Sequence, residues 1–265
     1  MKNKIDRQLL CLKKKSHHGI MAHIVVGYPD LEASERLILT LAEAGADLIE
    51  MQIPFSDPVA DGPTILAANL KSLASGVRVA DCFRFAERVA GRLDKIPLLF
   101  MTYINIPFNY GLEAFCRDSA SAGLAGLIVP DIPPEEKDED YRGLSIQYGL
   151  HPIYILSPSS TPERMRIIGK QASGFLYCTA RVGITGARNT RIAGLRLFIS
   201  QVRRHTDLPL ALGFGISSPE HVRTASELAE ISVLGSKVID IYNQGTNEEE
   251  SLRKVASFLR SLRKT

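Results

Sequence analysis

The sequence predicts one α/β domain over residues 1–265, a single (β/α)8 TIM barrel with a short N-terminal helix and an extra short helix after the eighth strand. Three observations predict this fold. Short apolar runs alternate with helical patterns, there are eight such runs, and a length of 265 residues suits one barrel of this kind. A doubly wound open sheet is the alternative, because alternation alone does not show that a sheet closes.

The eight apolar runs predict eight parallel strands. Most are apolar throughout instead of alternating in polarity, which is typical of strands buried on both faces of a sheet. Several intervening helices end at a glycine, a residue that readily adopts the backbone of a helix end. These glycines are Gly45, Gly123, Gly149 and Gly174. The runs cover 20–26, 46–53, 97–101, 126–129, 152–156, 175–179, 209–212 and 231–234.

The helical segments are recognised by their apolar faces and their starts. Residues 2–15 predict the N-terminal helix, with Ile5, Leu9 and Leu12 on a face that covers one end of the core. Residues 236–242 predict the extra short helix. Other helices begin with a capping residue, in two cases followed by proline and an acid. These starts are Asp30, Thr161-Pro162-Glu163, Ser218-Pro219-Glu220 and Asn247.

Composition narrows the range of partners and locations. A net charge of +3 is small for this length and gives no reason to expect nucleic acid or a membrane as partner. The four cysteines are far apart without a CxxC pair, which predicts free thiols in a cytoplasmic protein. The six histidines lack metal-ligand spacing, so no metal site is predicted. Basic residues near both ends are interpreted as solvated tails; they are Lys13, Lys14, Lys15, Arg260, Arg263 and Lys264.

The second predicted strand contains the strongest candidate for chemistry. Glu50 lies within an apolar run, where a carboxylate is costly unless it is paired, hydrated or functional. Pro54 ends the strand, and the next loop presents Asp61 just before Gly62-Pro63 opens a helix. Active sites of parallel barrels lie at the exit ends of strands, so Glu50 and Asp61 are candidate acid–base residues. The structural alternatives are a Glu50 bonded to nearby donors and an Asp61 that caps the following helix.

Glycine-rich loops follow the last three predicted strands. After the seventh strand comes Gly213-Phe214-Gly215-Ile216-Ser217, and after the eighth comes Gly235-Ser236. Backbone N–H groups at such loops bind phosphate, and these two positions are the recurrent phosphate site of barrels. Residues 181–189, after the sixth strand, place two glycines around Thr185 and predict a lid that closes over substrate. An exposed loop is the alternative for that segment.

Three further candidates lie at the same predicted end of the barrel. Asp131 emerges after the fourth strand, where it is expected to bond the Asp61 loop or to cap a helix that begins at Pro133. Tyr103 follows the third strand and is a candidate pocket residue. Tyr177 lies within the sixth strand, where core packing is the alternative to a role in the site.

With these segments the chain closely resembles the alpha subunit of tryptophan synthase. The resemblance extends over essentially the whole length and is carried, in order, by segments at five strand ends. The PFSDPxADGP block is specific to that family, whereas GFGIS is shared more widely among phosphate-binding barrels. The segments are IPFSDPVADGPT, VPDIP, RVGITGARN, GFGIS and the late GS.

The resemblance implies a lyase that cleaves indole-3-glycerol phosphate, by a retro-aldol step, to indole and glyceraldehyde 3-phosphate. It implies that Glu50 is the general acid/base and that Asp61 stabilises the indole nitrogen as positive charge develops. Thr185 would belong to the closing lid, near Asp61 when the lid is shut. The phosphate would bind to backbone groups of Gly186, Phe214, Gly215, Gly235 and Ser236.

The resemblance also implies a partner. In this family the alpha subunit docks on a pyridoxal-phosphate (PLP) beta subunit in an αββα heterotetramer, and indole passes through a tunnel between the two sites. The loop with Asp57 and Pro58 would lie at the partner interface and carry the allosteric signal together with the lid. No cofactor is expected in this chain, because the substrate supplies its own electron sink; PLP would belong to the partner.

Four positions depart from the family pattern. His23 stands where a phenylalanine usually lines the indole pocket, and Gln52 replaces a small residue just after the catalytic acid. Pro130 and Val182 also stand where small residues are usual. Because the carboxylates and the phosphate glycines are present, we expect an active lyase. The alternatives are a weakened subunit that mainly binds and activates the beta subunit, and another phosphate-binding barrel such as a sugar-phosphate aldolase or isomerase.

Overall fold

The computed structural model describes residues 3–134, 140–179 and 188–263, the last range without the side chains of 188–191. Its strands are β1 (Gly19–Val25), β2 (Leu48–Gln52), β3 (Leu98–Met101), β4 (Gly126–Ile128), β5 (His151–Ile153), β6 (Ile155–Leu156), β7 (Leu176–Thr179), β8 (Leu210–Gly213) and β9 (Ile231–Leu234). They form one parallel sheet in the order β5-β4-β3-β2-β1-β9-β8-β7-β6. Each predicted apolar run therefore contributes to this sheet.

The sheet closes through the fifth predicted strand. That run is interrupted at Tyr154, so β5 and β6 are consecutive pieces of chain that lie at the two ends of the sheet order. β5 pairs with β4, β6 pairs with β7, and the Tyr154 carbonyl accepts a hydrogen bond from the N–H of Tyr177 at 3.0 Å. The predicted (β/α)8 barrel is confirmed, and the open sheet is excluded.

Helices surround the barrel, and their ends confirm the signals read from the sequence. Asp30, Thr161, Ser218 and Asn247 each accept a backbone N–H from three residues further on. All four glycines predicted to stop helices have positive φ angles. The helices are α1 (Lys4–Lys15), α2 (Leu31–Ala44), α3 (Pro63–Ala74), α4 (Val79–Arg92), α5 (Asn105–Tyr110), α6 (Leu112–Ser121), α7 (Tyr141–Gln147), α8 (Pro162–Gln171), α9 (Arg188–Arg203), α10 (Pro219–Ser226), α11 (Ser236–Tyr242) and α12 (Glu248–Leu262).

The barrel interior is filled from the end where the strands begin. Inward-facing residues of several strands form one buried cluster, which includes Met21, Leu48 and Phe175. Ile5 of α1 is fully buried in the same cluster, and Asn3 at the start of this helix donates to two backbone carbonyls. α1 therefore closes this end of the barrel, as predicted, and polar inward-facing side chains lie towards the opposite end.

Arg263 is not a solvated tail residue, and that prediction was wrong. Just after α12, its guanidinium donates to the carbonyl oxygens of Gly45 at 2.9 Å and His18 at 2.7 Å, and it pairs with the Asp47 carboxylate. Asp47 also accepts the N–H of Ile20 at 2.8 Å. The contact links the end of the chain to the starts of β1 and β2, a long-range pairing that no local pattern reveals. Lys13, Lys14, Lys15 and Arg260 are exposed as predicted, and Lys264 lies outside the described residues.

Arg263→Ala is expected to lower the free energy of unfolding by about 2 kcal/mol, because charge-assisted hydrogen bonds are lost and the half-buried Asp47 loses its cation. Urea denaturation measures the change. Arg260→Ala, at an exposed position nearby in the chain, is the matched control and should change stability by less than about 0.5 kcal/mol. Equal losses in the two variants would contradict the role given to Arg263.

Two general properties follow from the described residues. No helix in them combines the length and apolar character needed to cross a bilayer. All four cysteines are free thiols, and three of them are buried. Burial raises the pKa of Cys116 to about 11 and that of Cys178 to about 12, so these two thiols stay protonated near neutral pH.

Candidate active site

Most of the predicted site residues lie at the end of the barrel where the strands finish. His23 is on β1, Glu50 is on β2, and Asp61 is in the loop that follows β2. Thr185 and Gly186, with the rest of segment 180–187, lie outside the described residues. The other candidates at this end are Tyr103 after β3, Asp131 after β4, Tyr177 on β7, Phe214 and Gly215 after β8, and Gly235 and Ser236 around the start of α11.

Glu50 points into the barrel and is 3% exposed. Its neighbours along β2, Ile49 and Met51, face the helices, so the alternation of the strand turns Glu50 inward. The register places it opposite His23 of β1, and His23 Nδ1 lies 3.3 Å from Glu50 Oε1. Glu50 Oε2 is buried and has no hydrogen-bond partner in the structure. One carboxylate oxygen is thus anchored and the other can exchange a proton with a bound molecule.

Asp61 is held by side-chain amides and does not cap a helix. The cap position of α3 is Gly62, and no side chain bonds there, so the capping alternative was wrong. Instead Asp61 Oδ2 accepts a hydrogen bond from Gln52 Nε2 at 2.7 Å, with the Asn69 amide nitrogen a further 3.5 Å contact. The Gln52 side chain therefore places a donor directly on the second candidate carboxylate.

Both carboxylates affect the pKa values of His23 and Tyr177. Burial is the largest single influence on the pKa of His23 and lowers it, but the charge and hydrogen bond of Glu50, together with Asp61 and Gln52, raise this pKa above its ordinary value. Burial, and after it the charges of Glu50 and Asp61, raises the pKa of Tyr177 well above its usual range. Both carboxylates therefore act on one region, which has a histidine on one wall and a tyrosine on another.

Tyr103 organises the loop that carries Asp61. Its hydroxyl accepts the N–H of Ala60 at 3.2 Å, and its ring stacks on Phe55 with centroids 5.3 Å apart. Burial, with the nearby Asp61 carboxylate second, raises the pKa of Tyr103. The tyrosine stays neutral near pH 7 and holds the Asp61 loop through its contact with Ala60.

Asp131 makes a contact that neither sequence-based expectation described. Its Oδ1 accepts the N–H of Ile104 at 2.9 Å, which ties the loop after β4 to the loop after β3. Residues 131–134 are not helical, so it caps no helix starting at Pro133, and 135–139 lie outside the described residues. Burial raises the pKa of Asp131. The residue shapes the rim of the barrel through a backbone contact across two strands.

The glycine loops after β8 and β9 leave open space beside the backbone. Gly215 has φ +81°, a conformation that favours glycine. A Cβ added to Gly215 or Gly235 would meet no atom within 4 Å. α10 and α11 begin directly after these loops, and Thr64 of α3 donates to Asp240 of α11 at 2.9 Å. The space and the helix starts together can accommodate an anion.

Two residues at the site escaped the sequence analysis. Asn69, fully buried on α3, contacts Asp61 and also accepts the N–H of Phe55 at 3.4 Å. Phe55 forms one side of the aromatic stack on Tyr103. The signal for Asn69 was a run of polar and small residues, Ala68, Asn69 and Ser72, on the helix face that turns inward. Asp57 is exposed and Pro58 half-buried in the loop between β2 and α3.

The closed parallel barrel, with two carboxylates acting on one pocket where its strands end, defines a (β/α)8-barrel enzyme equipped for acid–base chemistry. The model of the family "Tryptophan synthase alpha chain" matches residues 9–265. The chain belongs to the tryptophan synthase alpha chain family. Members of this family are the lyase half of tryptophan synthase, which cleaves indole-3-glycerol phosphate in tryptophan biosynthesis.

Individual relatives agree with the family assignment. The chain is 48% identical to the tryptophan synthase alpha chain of Syntrophotalea carbinolica, over 92% of this chain and 94% of the relative. It is 47% identical to that of Desulfotalea psychrophila, over 95% and 96%. The solved alpha subunit of Legionella pneumophila superposes with a TM-score of 0.89 at 29% identity, covering 100% and 98% of the two chains. A chain of Mycobacterium tuberculosis tryptophan synthase gives 0.88 at 30% identity, covering 100% and 98%.

Proposed function

We propose that this chain cleaves indole-3-glycerol phosphate with Glu50 as general acid/base and Asp61 as the group that stabilises the cationic indole. The observation that carries the proposal is a pair of carboxylates where the strands end, with the buried Glu50 3.3 Å from His23 and the half-buried Asp61 2.7 Å from the Gln52 amide. Glu50 supplies an oxygen without a partner, and Asp61 is oriented by an amide donor. Two carboxylates in different surroundings can divide the work of one reaction.

The reaction assigns one task to each carboxylate. Glu50 delivers a proton to C3 of the indole and removes the proton of the hydroxyl on the adjacent glycerol carbon. As the carbon–carbon bond breaks, its electron pair returns to the indole ring and the carbon that carried the hydroxyl becomes the aldehyde. Positive charge on the ring nitrogen precedes this cleavage, and a carboxylate at Asp61 stabilises it. Atoms and charge balance, because one proton enters at C3 and one leaves the hydroxyl.

The phosphate of the substrate is assigned to the glycine loops after β8 and β9. Backbone N–H groups of Phe214, Gly215, Gly235 and Ser236 are the proposed donors, and the open space beside the two glycines supports this assignment. Gly186 is proposed as a further donor and Thr185 as part of the lid. Both lie outside the described residues, so their roles rest on the family resemblance alone.

Gly235→Val is expected to raise KM for indole-3-glycerol phosphate about tenfold or more, with a smaller change in kcat. An added Cβ at Gly235 would meet no protein atom within 4 Å, so the first carbon of a new side chain fits without a clash. The isopropyl group instead occupies the space assigned to the phosphate. Gly235→Ala should give an intermediate KM in the same steady-state assay. An unchanged KM in both variants would place the phosphate elsewhere.

We propose that a beta subunit docks on the same face of the barrel, forms an αββα heterotetramer, holds the PLP and receives the indole. Support comes from apolar side chains exposed at this face, with Val59 81% and Phe108 59% exposed. Asp57 and Pro58 lie in the same loop as Val59, which agrees with the predicted interface. The expected cytoplasmic location is part of the same proposal, since the pathway enzyme would act there.

Ligand selectivity tests the site assignment. Calorimetry should detect tight binding of indolylpropanol phosphate, which combines an indole with a phosphate, and only weak binding of glycerol phosphate. Glu50→Gln should retain most of the indolylpropanol phosphate affinity, because the inhibitor undergoes no proton transfer. Equal binding of the two ligands would favour another phosphate-binding barrel.

The alternative function is a weakened subunit that mainly activates the beta subunit. His23 and Gln52 favour it, since they change the polarity of a pocket that usually has an aromatic and a small residue at these positions. Titrating this chain into a matching beta subunit, while indole formation and the beta reaction are both followed, separates the two functions. Stimulation of the beta reaction without any indole formation would support the alternative.

A further inference from the structure

Three buried polar atoms without hydrogen-bond partners lie together at the mouth of the barrel. They are His23 Nε2, Glu50 Oε2 and Gln52 Oε1, and within the described ranges one other side-chain atom, Ser119 Oγ, shares this property. A buried polar atom without a partner is destabilising, so three in one cluster need an explanation. His23 and Gln52 are also the two positions where this pocket departs from the family pattern.

The other polar atoms of these side chains already form most of a continuous series of hydrogen-bonded contacts between the two carboxylates. His23 Nδ1 lies 3.3 Å from Glu50 Oε1, and Gln52 Nε2 donates to Asp61 Oδ2 at 2.7 Å. The two ends left without partners are His23 Nε2 and Gln52 Oε1, both of which are buried. The Gln52 side chain contributes to raising the pKa of His23, which indicates that the two side chains lie close together. A neutral imidazole has one N–H and one acceptor, but an imidazolium has two N–H donors. A second proton on His23 therefore satisfies Glu50 and Gln52 at the same time.

We propose that His23 is a positioning residue for the lyase reaction: as an imidazolium it donates from Nδ1 to Glu50 Oε1 and from Nε2 to Gln52 Oε1, and through Gln52 it joins the two carboxylates into one hydrogen-bonded unit. The chain of contacts runs from Glu50 through His23 and Gln52 to Asp61. It holds Glu50 by one oxygen and leaves Oε2 as the oxygen that exchanges protons with substrate. This inference rests on the proposed roles of Glu50 and Asp61.

The surroundings of His23 favour the charged form. The residue is 4% exposed, the carboxylates that act on it are Glu50 on β2 and Asp61 in the following loop, and Tyr177 on β7 is a neutral group in the same region. On the other side, β9 pairs with β1 as far as Leu234 opposite Ala22, and the apolar Val233, opposite Met21, faces the barrel interior. Burial disfavours the cation, whereas Glu50, Asp61 and the Gln52 side chain favour it, and the pKa of His23 is raised.

The proposal predicts a pH dependence with a definite sign. Below its raised pKa, His23 is charged and the chain of hydrogen bonds is complete. As pH rises through that pKa, His23 loses one proton, so it can no longer donate to both Glu50 and Gln52. We therefore expect kcat/KM to fall on the alkaline side, with a midpoint above the ordinary histidine value of about 6.5.

Two substitutions restore the residues usual in the family and provide the test. His23→Phe should lower kcat about tenfold, change KM less, and remove the alkaline ionisation of His23 from the pH profile. It leaves Gln52 Oε1 without a donor, so the double variant His23→Phe/Gln52→Gly should be more active than His23→Phe alone. His17→Gln, at an exposed position, is the control and should keep the wild-type profile. A single variant His23→Phe with the wild-type pH profile would overturn the proposal.

A second measurement does not depend on catalysis. Nitrogen NMR of labelled histidines should show His23 protonated on both ring nitrogens, with a titration midpoint above about 6.5 that falls in Glu50→Gln. A His23 that remains neutral down to pH 6, or one that titrates identically in Glu50→Gln, would overturn the proposal even if a variant failed to fold. Because this titration is measured without substrate, its outcome is independent of whether the chain cleaves indole-3-glycerol phosphate. The wild-type lyase assay tests that proposed function separately.

Discussion

Glu50→Gln should reduce kcat for cleavage of indole-3-glycerol phosphate by about a thousandfold or more. General acid–base catalysis contributes about 10²- to 10⁴-fold, and Glu50 is assigned two proton transfers in the same reaction, which places the loss in the upper part of that range. Glutamine keeps the shape of the side chain and one oxygen that can accept from His23, so the inward-facing position on β2 should still pack. The measurement is indole release under saturating substrate, with single turnovers followed for slow variants.

Control measurements distinguish a loss of catalysis from a loss of folding in Glu50→Gln. Glu249→Gln removes an exposed carboxylate of α12 and should leave turnover unchanged. The thermal midpoint of Glu50→Gln and its affinity for indolylpropanol phosphate should stay close to wild type. Retention of more than about a tenth of the wild-type rate would remove Glu50 from the acid–base role, because a group essential to both transfers has no ready substitute.

Asp61→Asn should lower kcat by about a hundredfold or more. Asparagine can still accept the hydrogen bond of Gln52 through its carbonyl oxygen, so the 2.7 Å contact is retained while the negative charge is lost. The charge is the part of Asp61 that stabilises a cationic indole, and removal of one such stabilising group typically costs about 10²- to 10³-fold in kcat. Steady-state kinetics should show the change mainly in kcat. The negative charge of Asp61 stabilises the cationic intermediate more than the neutral ring of the bound substrate, so its removal affects the intermediate more.

Asp207→Asn is the matched control for this loss. Asp207 is exposed just before β8, at the end of the barrel opposite the carboxylates, and its replacement should leave kcat within about twofold. If Asp61→Asn instead raised KM and left kcat intact, Asp61 would be a residue that binds the substrate equally in ground state and transition state. That pattern would contradict a role in stabilising charge that develops during the reaction.

Local signals in the sequence were sufficient for most of the fold. Continuous apolar runs located the strands, because strands of a parallel barrel are buried on both faces. Capping residues and glycines located helix ends, because they satisfy backbone groups within a few residues. Closure of the sheet could not be predicted from such local signals. It depends on the break at Tyr154, which lets one continuous run pair with β4 on one side and β7 on the other, and nothing in the run itself marks that break.

The site was predicted less completely, because its contacts join residues that are distant in sequence or that compete for the same donors. Glu50 was found from a carboxylate in an apolar run, but its pairing with His23 depends on the register between β1 and β2. Asp61 lies next to the start of a helix, which suggested a capping role, but its carboxylate accepts a hydrogen bond from the Gln52 amide instead. Asp131 likewise bonds the N–H of Ile104 on a neighbouring loop. A local pattern identifies a polar group that needs a partner, and the tertiary structure decides which partner it meets.

The most direct test of the account is indole release from indole-3-glycerol phosphate by the purified wild-type chain, alone and with a matching beta subunit. We expect slow turnover by the chain alone and a strong rise when the beta subunit is added, because both candidate carboxylates are present and the space beside Gly215 and Gly235 is open. Absence of indole in either condition, while the chain stimulates the beta reaction, would contradict it. The barrel would then be a regulatory subunit, and His23 and Gln52 would be the positions to revert first.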